Sequence, residues 1–279
     1  MEKEKEEKNV REAFLVIVGG GKGSGKTWLN MHVIADYVKD KIQNNVRGSN
    51  ALIIDSNGEY TKEQFARNGI PNFEAKKIAL KDVPKFSLSK LSEARRIDIK
   101  NLSIKEKLQV MEYAVQNFRN GLIVLEDINN ITLSVTHLEA IVSVLISARH
   151  RGLDMLVSYQ SLRAVEPRIW QNANLIRLHK TIDNVSDIKG KVPNPEILKI
   201  AQLIVELKYH SGSKRFYLFV NQNESKIEGV FSEKDFEDAC LQYLNINKKM
   251  IKEYMNMHRV SQEESIKANV GLLKERYLS

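Results

Sequence analysis

An α/β fold, with a mainly parallel sheet flanked by helices, is what this sequence predicts, and three observations carry the prediction. Short apolar runs of strand length alternate with longer segments of helical periodicity, the order that yields parallel strands joined by crossover helices. The run Ala13-Phe14-Leu15-Val16-Ile17-Val18 passes directly into the glycine-rich stretch from Gly19 to Thr27, so a buried strand delivers its C-terminal end into a loop. A second apolar run, Leu122-Ile123-Val124-Leu125, ends in the carboxylate pair Glu126-Asp127.

At 279 residues and 42% hydrophobic content, the chain accommodates one large domain with appendages. The expected division is a charged leader over 1–12, one α/β domain over 13–231 and a helical C-terminal extension over 232–279. The single cysteine, Cys240, excludes an intramolecular disulfide framework and fits a reducing compartment, where an inert, half-buried thiol is expected. No apolar run has the length of a membrane span, and the first eight residues mix charges rather than form a signal sequence. A cytoplasmic location, or packaging inside a particle, without membrane insertion, is the expectation. The formal charge of +8 suits a polyanionic partner, although Lys- and Asn-rich usage also follows from an AT-rich genome.

Taken in order, the elements after the first strand are these. A helix is predicted from Thr27 to about Gln43, then a strand over Ala51–Ile54 that ends in the polar turn Asp55-Ser56-Asn57-Gly58-Glu59-Tyr60. Thr61 to Asn68 reads as a short helix closed by Gly69 and Pro71. The pattern from Asn72 to Lys100 is weak, with one period-two strand, Arg96–Lys100, presenting an exposed face. Ser103 is an N-cap for a helix carrying Ile104, Leu108, Met111, Val115 and Phe118, which Asn120-Gly121 terminates. Leu138, Ile141, Val142 and Leu145 mark another helix, stopped by Arg149-His150-Arg151-Gly152. Met155–Val157 is a short strand running into Ser158-Tyr159-Gln160, and Leu175–Leu178 is one more. Asn194-Pro195 opens a helix with Ile197, Ala201, Ile204 and Val205 on one face. Lys214–Asn221 and Lys226–Phe231 form a β-hairpin at the sheet edge, and the remainder is helical, with Phe236, Cys240, Tyr243 and Leu244, then Ile251, Tyr254, Met255 and His258 spaced to pack on the core or on an adjacent subunit.

The chemistry starts at the loop. Read from Gly20 it is G-x-x-x-x-G-K-T, a phosphate-binding pattern in which backbone N–H groups turn inward, Lys26 reaches the β/γ oxygens and Thr27 offers a hydroxyl to Mg²⁺. The nucleotide-binding set is Gly20, Gly21, Lys22, Gly23, Ser24, Gly25, Lys26, Thr27 and Trp28, with the following helix N-terminus on the anion. Glu126-Asp127 supplies the second half of a hydrolytic site: one acid for hydrated Mg²⁺, the other for the water attacking the γ-phosphorus. We assign Glu126, with Thr27, to the metal and Asp127 to the water. The usual order of the two acids is reversed here, and their one-carbon difference in reach leaves the roles exchangeable. An acidic N-cap after a buried strand is the plain alternative. Gln160, at the next strand end, is placed to sense the γ-phosphate or orient water, or is simply a solvated loop residue. Arg149 and Arg151 either complement a helix dipole or act as an arginine finger on a neighbouring subunit's nucleotide, which requires a ring.

The segments GGKGSGKT, IIDSNGEY, LIVLEDI, ARHRGLDMLVSYQSL and RIWQNANLIRL, in this order over roughly residues 13 to 180, resemble the HerA–FtsK superfamily of P-loop ATPases. Arg149-His150-Arg151-Gly152 followed by Tyr159-Gln160 resembles a segment of FtsK-type translocases; the viral DNA-packaging branch, with a short Gly-Arg-His tract before its glutamine strand, is also similar, and the compact length favours that branch. The resemblance implies a RecA-like core, ATP and Mg²⁺ as cofactors, a homo-oligomeric ring of six or five subunits, and double-stranded DNA driven through its pore, with capsid or portal proteins as further partners. Position by position it implies Walker A roles for Lys26 and Thr27, Walker B roles for Glu126 and Asp127, the sensor role for Gln160, and the finger for Arg149 or Arg151. Other readings are a conjugation or chromosome-handling ATPase acting through partner proteins, and a nucleotide-dependent switch or scaffold with little hydrolysis. A small-molecule kinase is weaker, for want of a lid-like arginine cluster, and a GTPase lacks its N-K-x-D element. The basic stretch Lys76 to Lys100 is a candidate for pore loops.

Overall fold

A computed structural model describes residues 13–40, 47–128, 142–143, 145–146 and 151–278. The leader over 1–12, the end of the first helix near Gln43, most of the helix marked by Leu138 and Ile141, and Arg149 fall outside these residues.

The described strands are β1 (Leu15–Gly19), β2 (Ala51–Asp55), β3 (Lys76–Lys77), β4 (Ala94–Asp98), β5 (Gly121–Leu125), β6 (Leu153–Tyr159), β7 (Leu175–His179), β8 (Tyr217–Asn221) and β9 (Lys226–Gly229). They form one sheet in the order β3-β4-β2-β5-β6-β1-β7-β8-β9. Neighbours from β3 to β7 are parallel, and β8 and β9 add an antiparallel hairpin at one edge. Alternate residues of the parallel strands enter two core layers. Leu15, Ile17, Leu52, Ile54, Ile123 and Leu125 face one; Val16, Val18, Ala51, Ile53, Leu122 and Val124 face the other. A sheet covered on both faces needs strands that are apolar throughout rather than alternating, which is why these runs read as unbroken hydrophobic stretches.

The described helices are α1 (Lys26–Tyr37), α2 (Lys62–Arg67), α3 (Val83–Ser87), α4 (Ile104–Asn117), α5 (Pro167–Asn172), α6 (Pro195–His210), α7 (Glu233–Ile246), α8 (Lys248–His258) and α9 (Gln262–Tyr277). Met31 and Ile34 of α1 fill one core layer; α4, α6 and α7 cover the other. Ser103 caps α4 in a reciprocal capping box with Glu106. Phe236, Ala239, Cys240 and Leu244 of α7 join Ile197, Ala201 and Ile204 of α6 in a single layer. Tyr243 and Tyr277 donate to opposite oxygens of Glu196 at 3.1 and 2.6 Å, tying the C-terminal helices to the start of α6. Cys240 is fully buried rather than half-buried, and that burial pushes its thiol up to about 12.

Four local expectations change. The first helix ends at Tyr37, because the chain turns back towards β2, with Ser49 N–H donating to Tyr37 O at 3.2 Å. Gly121 opens β5 instead of closing α4: a Cβ there would lie 2.5 Å from Asn50 O, so the glycine serves strand packing. The strand expected over Arg96–Lys100 is β4, two residues earlier, and Arg96 is buried where period two placed it outside. Its guanidinium meets Asp55 of neighbouring β2 at 3.2 Å, a pairing across strands that local alternation does not encode. The hairpin's second strand stops at Gly229, short of Phe231.

Candidate nucleotide-binding site

β6 lies between β1 and β5, with Gly19 level with Tyr159 and Leu125 level with Val157. The glycine loop, the acidic pair and Gln160 therefore emerge side by side from the carboxyl edge of three adjacent strands, the edge where open α/β sheets place their ligands.

The loop entrance is held by both strands beside β1: Gly20 N–H donates to Tyr159 O at 3.2 Å and Gly21 N–H to Lys180 O at 2.8 Å. Only glycine fits at position 20, where a Cβ would stand 2.7 Å from both His179 Cβ and Ser24 Oγ. Gly23 and Gly25 adopt φ of 75° and 96°, the left-handed region that L side chains avoid, and Gly25 is the N-cap of α1. Lys26 is 7% exposed, and its ammonium donates to Gly20 O at 2.5 Å and Gly21 O at 3.0 Å. Burial lowers its pKa, against the opposing charges of Asp127, Glu126 and Glu59. His179 braces the loop from β7. Burial, reinforced by the Arg177 charge, lowers its pKa to about 3, so the ring is neutral and its Nδ1–H donates to Ser24 O at 3.1 Å.

The two acids occupy different surroundings. Glu126 is 3% exposed, and its Oε1 accepts from Asn30 Nδ2 at 2.6 Å and from the Tyr60 hydroxyl. Asn30 sits one turn along α1 from Lys26; its Nδ2 also reaches Ser158 Oγ at 3.1 Å, and its Oδ1 accepts from Arg177. Burial raises the Glu126 pKa, and the bonds from Tyr60 and Asn30 hold it back. Burial also lowers Arg177 to about 10, opposed first by the Glu126 charge. Asp127, at φ 49°, turns its Oδ2 to Asn57 Nδ2 at 2.8 Å and to Gln160 Nε2 at 2.7 Å. Gln160 and Asp127 are thus direct partners. Thr27 and Glu126 are not hydrogen-bonded to each other: the Thr27 hydroxyl donates to Glu59 Oε2 at 3.1 Å.

The turn after β2 organises both acids, and sequence reasoning assigned its residues no roles. Asp55, fully buried, accepts from the N–H groups of Gly58, Glu59 and Tyr60 at 2.8, 3.0 and 3.1 Å while pairing with Arg96. From that frame Ser56 Oγ donates to Glu126 O at 2.8 Å, Asn57 reaches Asp127, Tyr60 reaches Glu126 and Glu59 receives Thr27. The available signal was polarity out of place: Asn30 on the buried face of an amphipathic helix and Arg177 inside an apolar strand. Trp28 is half-buried beside the loop, with the Arg215 guanidinium 5.4 Å from its ring centroid, and Lys22 is exposed. Arg151 lies at the start of β6, where its guanidinium donates to Gln116 O at the end of α4; that is the edge of the sheet opposite the loop.

No sequence-family profile and no curated protein matches the chain. Among solved structures, the genome packaging NTPase B204 from Sulfolobus turreted icosahedral virus 2 in complex with sulfate aligns with a TM-score of 0.51 at 20% identity, covering 79% of this chain and 98% of that one. The chain has the P-loop NTPase fold of B204. The DNA-packaging ATPase B204 from Sulfolobus Turreted Icosahedral Virus aligns at 0.48 and 16% identity, over 78% and 97% of the two chains. The complex of the first protein with AMPPCP aligns at 0.46 and 18%, over 77% and 96%. At these identities the likeness is one of fold.

The residues present suit a nucleoside triphosphate with Mg²⁺. The Ser24 hydroxyl is buried against Gly20 without a hydrogen-bond partner among the described residues, and Lys26 rests on the loop's own carbonyls. Among the described residues no group of three or more His, Cys, Asp or Glu side chains forms a ready-made metal cage. Mg²⁺ commonly takes one or two protein ligands and completes its shell with water and phosphate oxygens, which is what Thr27 and its acidic neighbours offer. Among the described residues, no helix is long and apolar enough to cross a membrane.

Proposed function

We propose that this chain is an ATP-hydrolysing, double-stranded-DNA-translocating P-loop ATPase that works as a ring in packaging a viral or mobile-element genome. One observation carries the hydrolytic half of this reading: Gln160, directly after β6, and Asp127, after β5, are hydrogen-bonded at 2.7 Å on the sheet edge that bears the glycine loop. Lys26, released from the loop carbonyls, binds the β/γ oxygens, and the N–H groups at the start of α1 complete the cradle. Asp127, held by Asn57 and Gln160, orients the attacking water in line with the γ-phosphorus. Thr27, with Glu126 as the sequence assigns it, would hold Mg²⁺, which would supply neutralisation of charge on the phosphoryl oxygens. Arg149 or Arg151 serves the neighbouring subunit; Arg151 would have to leave the carbonyls at the end of α4 to do so.

The DNA half rests on the +8 charge and on the B204 fold. The basic stretch Lys76–Lys100 lies at the β3–β4 edge, where Lys77, Lys85 and Arg95 line a cleft of about 750 Å³ with Asp82 and Glu93. The test is ATP hydrolysis with and without linear duplex across a salt series, using Lys26→Ala as the blank. Stimulation by DNA that fades as salt rises is expected. A rate indifferent to duplex at low salt refutes translocation, and equal near-zero rates in wild type, Lys26→Ala and Asp127→Asn identify a nucleotide switch instead.

A further inference from the structure

The Asp55–Tyr60 turn has one member whose side chain is exposed and charged. Asp55 and Tyr60 are buried and engaged in holding the turn and Glu126, and Ser56 and Asn57 are spent on the acidic pair. Glu59 stands at the mouth of the site, with its Oε2 accepting the Thr27 hydroxyl at 3.1 Å. Its charge acts on Lys26 alongside those of Asp127 and Glu126.

A hydroxyl has one proton and two lone pairs. If Thr27 is to give a lone pair to a cation, its proton needs an acceptor on the far side. Of the site's acids, Glu126 is turned inward to Tyr60 and Asn30, and Asp127 Oδ2 is held by two side-chain amides. The acceptor found on Thr27 is Glu59. A carboxylate in that position orients the ligand hydroxyl and adds negative charge beside the cation, the task of outer-shell partners at metal sites generally.

We infer that Glu59 is a second carboxylate on the divalent-cation side of the site, beside the Glu126 of the reading above, orienting the Thr27 hydroxyl and raising the affinity for Mg²⁺–nucleotide over nucleotide alone. This rests on the nucleotide-site reading above. It makes Glu59 a positioning residue, distinct from the Asp127–Gln160 pair that faces the water.

The experiment is equilibrium binding of fluorescent ADP to the full chain, with and without Mg²⁺, for wild type, Glu59→Gln, Glu59→Asp, Glu63→Gln and Lys26→Ala. Mn²⁺ titration by electron paramagnetic resonance in the presence of ADP gives a second readout. Glu59→Gln is expected to lower Mn²⁺ affinity about 10-fold and to remove most of the Mg²⁺-dependent tightening, the size typical of outer-shell substitutions. Its metal-free ADP affinity should be kept, and Glu59→Asp should recover part of the loss. Glu63→Gln, the same charge change four residues on, should behave as wild type. Full Mg²⁺ tightening in Glu59→Gln, or an equal loss in Glu63→Gln, overturns the inference while leaving the nucleotide site standing. A wild type that binds no more ADP than Lys26→Ala overturns the site and the inference together.

Discussion

Removing one oxygen from either of two buried tyrosines should have opposite consequences. Tyr60 is fully buried, and its hydroxyl donates to Glu126, a carboxylate only 3% exposed that has Asn30 as its other side-chain donor. Tyr60→Phe keeps the ring in its packing against Phe65 and leaves the carboxylate one donor short where water does not replace it. A hydrogen bond to a charged group contributes about 1.5–3 kcal/mol, so a loss of about 2 kcal/mol of folding stability is expected. Tyr159 is 2% exposed and its hydroxyl has no partner among the described residues, so burial of that group opposes folding. Tyr159→Phe should therefore be neutral or stabilise by about 1 kcal/mol. Urea unfolding is the assay, with the midpoint moving at unchanged slope. A Tyr60→Phe loss below about 0.5 kcal/mol, or equal losses from the two variants, would refute the Tyr60–Glu126 bond as a buried charge-assisted contact.

Gly20→Ala should distort the loop, because its Cβ would meet the stem of buried His179 at 2.7 Å. Overpacking of this kind costs about 1–3 kcal/mol, and calorimetry should find both a lower melting temperature and weakened nucleotide binding. Gly190→Ala, with nothing within 4 Å of its Cβ, is the control expected to match wild type. The pH dependence follows from His179, whose pKa falls to about 3 in the folded chain against about 6.5 unfolded. The unfolded state thus takes up a proton that the folded state refuses, so this residue costs nothing above pH ~6.5 and about 1.4 kcal/mol per unit as pH falls from there towards 3. Comparing urea midpoints of wild type and His179→Gln from pH 7.5 to 5 should show a steeper acid-side decline in wild type; parallel curves would count against a buried neutral imidazole.

How much was legible in the sequence depends on the range of the interaction. The turns of the loop from Gly20 to Thr27 could be read because their glycines stand close together in the chain, and Gly23 and Gly25 do take left-handed φ. Ser103 as the cap of α4 and Asn194-Pro195 at the start of α6 were legible for the same reason, since a cap satisfies N–H groups two or three residues away. Arg96 was misplaced because its exposure is decided by Asp55 on another strand, and Gly121 because its requirement comes from Asn50.

The sequence by itself determined most of the longer strands and helices and the apolar character of the central strands, because backbone preference and side-chain periodicity act over a few residues. Only the tertiary structure decided that β6 runs between β1 and β5, that Gln160 meets Asp127, that Asn30 and Arg177 converge behind Glu126, and that Thr27 faces Glu59. Those contacts join residues 32 to 147 positions apart. Buried charges and amides must find partners wherever the packed sheet brings them, and no local rule names the partner in advance.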